Sequence, residues 1–298
     1  MKQLLRICLP ALLALLTLEA RAQQAFATPT AAVDALIGAL GTERADAERM
    51  KALLGADWQT WIPTGDIERE DVDAFLGLYR ERHTVRLDGQ ERAQLVVGNT
   101  PWTFPLPLVH GKDGWHFDPK AGGEEIRARR IGRNELAVMQ AVRAYHDAQM
   151  DYAEADHDGD GVLEYAQKFM SSDGQYDGLY WPDEPGVEES PLGPLFGDEL
   201  PDGEWQGYHY RILDAQGPSA PGGAYDYRLG ANMSRGFALI AWPARYGDSG
   251  VMSFMISHDG EVFEKDMGKD GDRQAKAMSR FDPDSSWQEV KEKELAGP

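Results

Sequence analysis

Apolar residues in the first part of the chain recur every three or four positions in three stretches, which is the spacing of amphipathic helices. The first stretch begins with Thr28 as an N-cap and Pro29 at the first helical position, and it ends at Gly41. The second stretch ends at Gly55, and the third stops before His83. The pattern therefore predicts three helices.

Beyond residue 83 the spacing changes to two, which is typical of strands. Four segments show it, with a Gly-Lys-Asp-Gly turn between the last two: residues 83–89, 92–98, 102–110 and 115–118. Proline lacks an N–H, so Pro105 and Pro107 confine the third strand to a sheet edge or a bulge. An antiparallel sheet is expected to follow the helices.

A long helical pattern begins near Gly123. An interruption is predicted near Gly132, with Asn134 and Glu135 capping a restarted helix. The restarted part carries one apolar stripe, formed by Val138, Ala141, Tyr145, Ala148 and Tyr152. The pattern continues into an acidic loop, after which residues 162–170 are predicted to form a short helix.

The remainder is irregular at first and then rich in predicted strands. Residues 171–203 contain many apolar side chains, including Leu195 and Phe196, which favours a loop packed over a core. Strands are then expected at residues 205–213, 236–243 and 250–257, and a hairpin turn at residues 259–260. A short helix at residues 272–279 and a last strand near Trp287 are expected to follow. Helices followed by antiparallel strands, twice over, predict an α+β protein with domains at 23–133 and 134–298.

The first 22 residues have the features of a secretory signal peptide. Lys2 and Arg6 precede an apolar run, residues 7–18, that is too short to span a bilayer, and a small-x-small pattern ends at Ala22. Cleavage after Ala22 is predicted, which would make the protein periplasmic or secreted. The single cysteine, Cys8, lies inside the apolar run, so the mature chain would have no disulfide and no thiolate nucleophile.

Charge narrows the possible partners. The net charge is −20, and the predicted signal peptide is itself basic, so the mature chain is more acidic still. Nucleic acids and anionic lipids are recognised by clustered Lys and Arg, so neither is an expected partner. No later segment approaches the roughly 20 apolar residues of a membrane span, so none is predicted in the mature chain.

The acidic loop has the spacing of a calcium-binding loop. Gly161 stands at the sixth position, where the backbone must turn sharply, but Gln167 replaces the glutamate expected at the twelfth. The predicted metal ligands are Asp156, Asp158, Asp160, Val162 through its carbonyl, and Glu164 directly or through water. The alternative is an Asp- and Gly-rich turn without metal. A bound calcium ion would be structural, setting the angle between the long helix and the β-rich part.

Other candidate chemistry is weaker. Residues 246–251 contain Gly-Asp-Ser-Gly, which flanks the nucleophile of chymotrypsin-like proteases, but no histidine lies in a suitable partner motif for Ser249. A turn before an apolar strand explains this segment better. Several aromatic residues could line a glycan or peptide surface, although core positions are the commoner interpretation: Tyr176, Tyr180, Trp181, Trp205, Tyr208 and Tyr210.

Longer segments resemble a known family. They include "AFATPTAAVDAL", "WTFPLPLVHGKDGWHFD", "RRIGRNELAVMQAVRAYHDAQMDYA" and "GFALIAWPARYGDSGVMSFMISHDGEVFEKDMG". Together they resemble the bacterial secreted family catalogued as domain of unknown function 2950, which implies no established activity. The N-terminal half also looks like the NTF2-like α+β cone, in which a curved sheet wraps around a helix. The part from Asn134 onward is similar to the globular domain of type IV pilin-like proteins, without their membrane-spanning helix.

These observations favour an exported, non-enzymatic cell-envelope protein that acts in binding or assembly and carries a structural calcium loop. Its expected partner is an envelope protein or glycan whose identity the sequence does not define. The alternative is a hydrolase that acts on an envelope polymer, with its site in the N-terminal cone or in a cleft. Neither fold resemblance decides between them, because both folds host many functions.

Overall fold

The computed structural model describes residues 23–65, 67–183, 185–193 and 203–291. The predicted signal peptide and the residues Leu195 and Phe196 lie outside this part of the chain. Two compact units are present, one ending at Ile126 and the other beginning at Arg127, shortly before the boundary predicted from the sequence. Each unit combines helices with antiparallel strands, so the predicted α+β class is confirmed.

The three helices predicted in the first unit are present. Thr28 caps the first, its hydroxyl accepting a hydrogen bond from the Ala31 N–H at 3.1 Å, and Asp46 caps the second through the N–H groups of Glu48 and Arg49. The helices are α1 (Pro29–Leu40), α2 (Ala47–Leu54) and α3 (Arg69–Glu81), with a 3₁₀ turn at Trp58–Thr60. The buried residues of α1 and α2 form one hydrophobic cluster with those of the first sheet, and Phe75 and Tyr79 of α3 pack against it.

The first sheet is antiparallel, with strands β1 (His83–Asp88), β2 (Arg92–Val97), β3 (Trp102–Thr103), β4 (Leu108–Gly111) and β5 (Gly114–Phe117). Its order is β1-β2-β4-β5, and β3 pairs with β2. The segment predicted as one strand at 102–110 is therefore two. The break contains Pro105 and Pro107, which cannot donate to a ladder.

A single helix, α4 (Pro119–Tyr152), crosses the position where an interruption was predicted. That prediction is wrong because Asn134 and Glu135 act on distant residues and not as a cap. The Asn134 amide donates to the Ser249 carbonyl at 2.8 Å, and the Glu135 carboxylate accepts the N–H groups of Val251 and Met252, both at 2.9 Å. Polar residues typical of a helix start thus hold a strand that lies more than a hundred residues later.

The short helix predicted at residues 162–170 is also absent, and this segment is irregular, with a bend at residues 167–169. Its backbone groups bond to distant partners instead of to one another. The Tyr165 N–H donates to the Met233 carbonyl at 2.9 Å, and the Tyr180 N–H donates to the Phe169 carbonyl at 2.8 Å. A helix would leave those partners without their bonds, so tertiary hydrogen bonding overrides the local pattern.

The second unit is built on a five-stranded antiparallel sheet of order β12-β11-β10-β9-β6. The strands are β6 (Tyr208–Leu213), β9 (Ala238–Pro243), β10 (Met252–Ser257), β11 (Val262–Asp266) and β12 (Gln288–Glu289). A separate pair joins β7 (Ala215–Gln216) to β8 (Tyr225–Asp226), and α5 spans Gly271–Ala277. The positions of β6, β9, β10, β12 and α5, and of the turn before β11, agree with the predictions, whereas the β7–β8 pair was not predicted.

The core of the second unit lies between the sheet and the apolar stripe of α4. Every residue of β9 is buried, and all five stripe residues predicted from the sequence are buried as well. Tyr145 is central, because its ring packs edge-to-face on Phe237 at 5.7 Å between centroids. Across the described residues, no helix combines the length and the apolar character needed to cross a membrane.

Candidate metal centre

The acidic loop leaves the C-terminal end of α4 and turns twice through glycine. Gly159 and Gly161 have φ angles of +77° and +87°, values that side-chain-bearing residues rarely adopt. At the start of the loop the His157 ring stacks on Tyr152, with centroids 4.1 Å apart, and its Nε2 lies 3.0 Å from the Tyr152 carbonyl oxygen. The loop is thereby anchored to the last residue of the helix.

Each aspartate also shapes the loop by accepting backbone hydrogen bonds. Asp156 accepts from the N–H groups of Gly159 at 2.8 Å and Gly161 at 2.9 Å. Asp158 accepts from Asp160 N–H at 3.1 Å, and Asp160 accepts from Val162 N–H at 2.8 Å. These backbone hydrogen bonds lower the pKa of the Asp156 carboxyl, and the bond from the Gly161 N–H has the largest effect. The loop therefore favours the ionised form of Asp156.

Three predicted ligands converge. Carboxylate oxygens of Asp156, Asp158 and Asp160 lie within 4.8 Å of one another, and all three residues are exposed. This is the one such group found in the part of the chain that the structure describes. Carboxylates this close repel one another, and a divalent cation between them would relieve the repulsion.

The other two predicted ligands, Glu164 and Val162, are not part of this group. Glu164 is outside the converging group, and its Oε2 accepts the Met233 N–H at 3.2 Å. Burial raises the pKa of the Glu164 carboxyl, and the charges of the three aspartates raise it further, against the opposing effect of the Met233 N–H. Val162 gives its N–H to the loop and has an exposed side chain. At the twelfth position, the Gln167 amide donates to the Ala231 carbonyl at 2.8 Å.

Residues 231–233 form a second part of the centre that sequence analysis did not identify. The Asn232 amide donates to Asp160 Oδ2 at 2.6 Å, across 72 positions of sequence. Met233 contributes its N–H to Glu164 and its carbonyl to Tyr165. No sequence motif identifies this segment, because it contributes mainly backbone groups. Its one side-chain contact comes from an asparagine, a residue type that occurs throughout proteins.

The structure places Ser249 in a turn. Its side chain is 1% exposed. The Ser249 hydroxyl accepts the Arg245 N–H at 2.9 Å and donates to the Arg245 carbonyl at 3.3 Å. Both hydrogen-bonding roles of the hydroxyl are used within the turn, which agrees with the interpretation preferred from the sequence.

The aromatic residues weighed as a binding surface divide between core and surface. Trp181 and Tyr208 are buried, and the Tyr208 hydroxyl donates to the Met252 carbonyl at 2.9 Å. Tyr176 is 38% exposed and packs edge-on against Trp181 at 5.2 Å. Most of this aromatic surface is therefore used for packing.

Replacing Glu164 with glutamine is expected to stabilise the calcium-free protein slightly. The raised pKa means that the ionised carboxylate weakens the folded state at pH 7, and that the effect disappears as the pH falls through the folded-state pKa. Glutamine keeps an oxygen for the Met233 N–H. We expect a gain of about 0.5 kcal/mol at pH 7, after allowing for solvent screening, and none at pH 3.

Urea unfolding of both proteins in chelator at the two pH values measures this difference. A loss of stability for Glu164→Gln at pH 7 would contradict the electrostatic interpretation. If Glu164 contacts calcium, the order reverses when calcium is added, because glutamine carries no charge to balance the ion.

Comparison with known proteins adds one result. No curated protein and no solved structure matches the chain. One family matches residues 23–290, and its description is "Protein of unknown function (DUF2950)". The match covers almost all of the chain, including both structural units and the acidic loop. The chain therefore belongs to the DUF2950 family.

Proposed function

We propose that the protein is an exported cell-envelope protein that acts in binding or assembly and not in catalysis, and that its acidic loop holds a structural calcium ion. The observation that carries the calcium proposal is the convergence of three exposed carboxylates within 4.8 Å. Hard oxygen ligands on a tight loop suit Ca²⁺, and exported proteins meet this ion at high concentration. The proposed partner is an envelope protein or glycan.

The contacts of the loop support a structural role for the ion. On one side the loop continues from α4, and on the other it is bonded to Asn232 and Met233, which precede β9. An ion held by Asp156, Asp158 and Asp160 would join these parts more firmly, with Glu164 and the Val162 carbonyl completing its shell. The ion would thereby stabilise the second unit without taking part in a reaction.

Two finer assignments belong to the same proposal. The first unit, with three helices before an antiparallel sheet, fits an NTF2-like cone, and the second, with a long helix before a meander, fits a pilin-like domain. Export rests on the signal-peptide features of residues 1–22. Fractionation of cells that express the full chain, with the mass of the recovered protein, tests cleavage after Ala22.

The calcium proposal predicts a calcium-dependent melting temperature for residues 23–298. Calcium at a hundred times its dissociation constant should add about 2.7 kcal/mol to the free energy of unfolding, a rise of several degrees. Asp158→Asn should abolish the rise, because it removes one charged ligand while keeping an acceptor for the Asp160 N–H. Scanning calorimetry in calcium and in chelator measures both effects.

Asp173→Asn is the matched control, because Asp173 is an exposed aspartate that lies outside the loop. It should keep the full calcium response. An unchanged melt of the parent protein at 5–10 mM calcium, a concentration above the range of known weak sites, would disprove the calcium site. A response that survives in Asp158→Asn would place the ion elsewhere and would equally refute this loop.

A further inference from the structure

The first strand of the first sheet, β1, has one open edge. It is the terminal strand of its sheet and pairs with β2 alone. The Gly98 N–H donates to the Arg82 carbonyl at 2.8 Å, so the backbone groups of even-numbered residues face β2. Those of His83, Val85 and Leu87 therefore point away from the sheet, and among the described residues they have no backbone partner.

The opposite edge of the same sheet is covered. Phe26 pairs with Trp115 of β5, through N–H to carbonyl bonds of 2.8 Å and 2.7 Å. In the part of the chain that the structure describes, no bridge of this kind protects β1, which contains no proline and pairs with β2 without a bulge over its whole length. Five of its six residues are exposed, and Leu87 is 60% exposed. An edge of this kind is a template for a further strand.

We propose that β1 pairs antiparallel with β1 of a second copy of this chain, centred on Val85. In this register Val85 faces Val85 of the partner subunit, and Leu87 faces His83 of the partner subunit. Every outward N–H of the strand then meets an outward carbonyl, giving about six backbone hydrogen bonds. The two first sheets would form one continuous sheet across a two-fold axis.

Charge supports this register and this occupant. Arg82 and Asp88 stand at the two ends of the extended segment, and both are exposed. In the Val85-centred register each Arg82 lies opposite the partner's Asp88, so the strand is complementary to itself. Centring the pair on Arg86 would place two arginines opposite each other, and centring it on Leu87 would pair only half of the strand.

Single-cysteine crosslinking tests the register, because residues 23–298 contain no cysteine. Directly opposite residues in a hydrogen-bonded pair have Cα atoms about 5.5 Å apart, which suits a disulfide. Val85→Cys should therefore form a covalent dimer under mild oxidation. Leu87→Cys is the matched control, because its two copies would lie about 14 Å apart along the strand axis.

Sedimentation equilibrium of the cysteine-free protein tests the dimer itself. Asp88→Arg should weaken dimerisation about tenfold or more, because it replaces two attractive pairs with repulsive ones. Arg82→Asp combined with Asp88→Arg should restore it. Leu87→Pro should also weaken the dimer, since it removes only an outward N–H and leaves the β1–β2 bonds intact.

A protein that stays monomeric up to 100 µM in sedimentation overturns the proposal. So does crosslinking of Leu87→Cys that is faster than that of Val85→Cys, because it would require another register. Dimerisation that is unchanged by Leu87→Pro, with the variant folded by circular dichroism, would place the interface elsewhere and also disprove pairing through β1. The proposal does not depend on calcium, so these results are independent of the metal centre.

Discussion

Gln149→Leu is expected to lower the free energy of unfolding by about 4 kcal/mol. The Gln149 side chain is fully buried, and its amide pairs with both backbone polar groups of Ala166, as a neighbouring strand would. Its oxygen accepts the Ala166 N–H at 2.8 Å, and its nitrogen donates to the Ala166 carbonyl at 2.8 Å and to the Tyr145 hydroxyl at 2.9 Å. Leucine fills the same volume but leaves two buried backbone groups without partners.

The effect reaches the candidate metal centre, because Ala166 lies two residues after Glu164. Under the calcium proposal, the variant should therefore bind calcium more weakly in addition to being less stable. Gln167→Leu provides the matched control. It removes an amide that bonds one carbonyl at an exposed position, so it should change stability by less than about 0.5 kcal/mol. Urea unfolding measures the stability of both variants. Similar losses in the free energy of unfolding would contradict the explanation that the buried position of Gln149 makes its hydrogen bonds important.

The second large effect is expected at Gly123 in α4. A Cβ atom added there would lie 2.2 Å from the Trp61 carbonyl oxygen and 2.9 Å from its carbon. These are backbone atoms, so no side-chain rotation relieves the contact. Alanine is the better helix former, but the overlap should outweigh that preference and destabilise the first unit by about 3 kcal/mol.

The same helix contains the control. A Cβ atom at Gly132 would meet nothing within 4 Å, so Gly132→Ala should stabilise the protein by about 0.8 kcal/mol. The two identical substitutions thus have opposite predicted signs, which thermal unfolding would show directly. Destabilisation by Gly132→Ala would indicate that the helix bends or breaks at this position.

Gly132 also shows where local signals failed. A glycine followed by Asn134 and Glu135 has the composition of a helix end and a new start, yet α4 is continuous. The two polar side chains form hydrogen bonds with residues 249–252, and each bond joins residues more than a hundred positions apart in the sequence. Local propensity cannot include such partners, since they exist only when the sheet is formed.

In the candidate metal centre, too, some features depend on neighbouring residues and others on distant ones. The Asp-x-Asp-x-Asp-Gly spacing makes three carboxylates converge because alternate side chains on a tight turn point to one place, and this depends on adjacent residues only. Asn232 and Met233 contact the loop only because the folded chain brings them there. Glu164 accepts a hydrogen bond from Met233 and lies outside the group of three aspartates. Spacing alone therefore predicts the turn, but it does not predict the contacts of the turn with residues 232–233.

The sequence by itself determined the features that arise from short-range periodicity. These are the three amphipathic helices, most of the strands, the buried stripe of α4, the α+β class and the acidic turn, since each depends on residues a few positions apart. The tertiary structure decided the irregular course of residues 162–170, the continuity of α4 and the open edge of β1. Each of these depends on which distant backbone groups become partners, and neighbouring residues do not specify that choice.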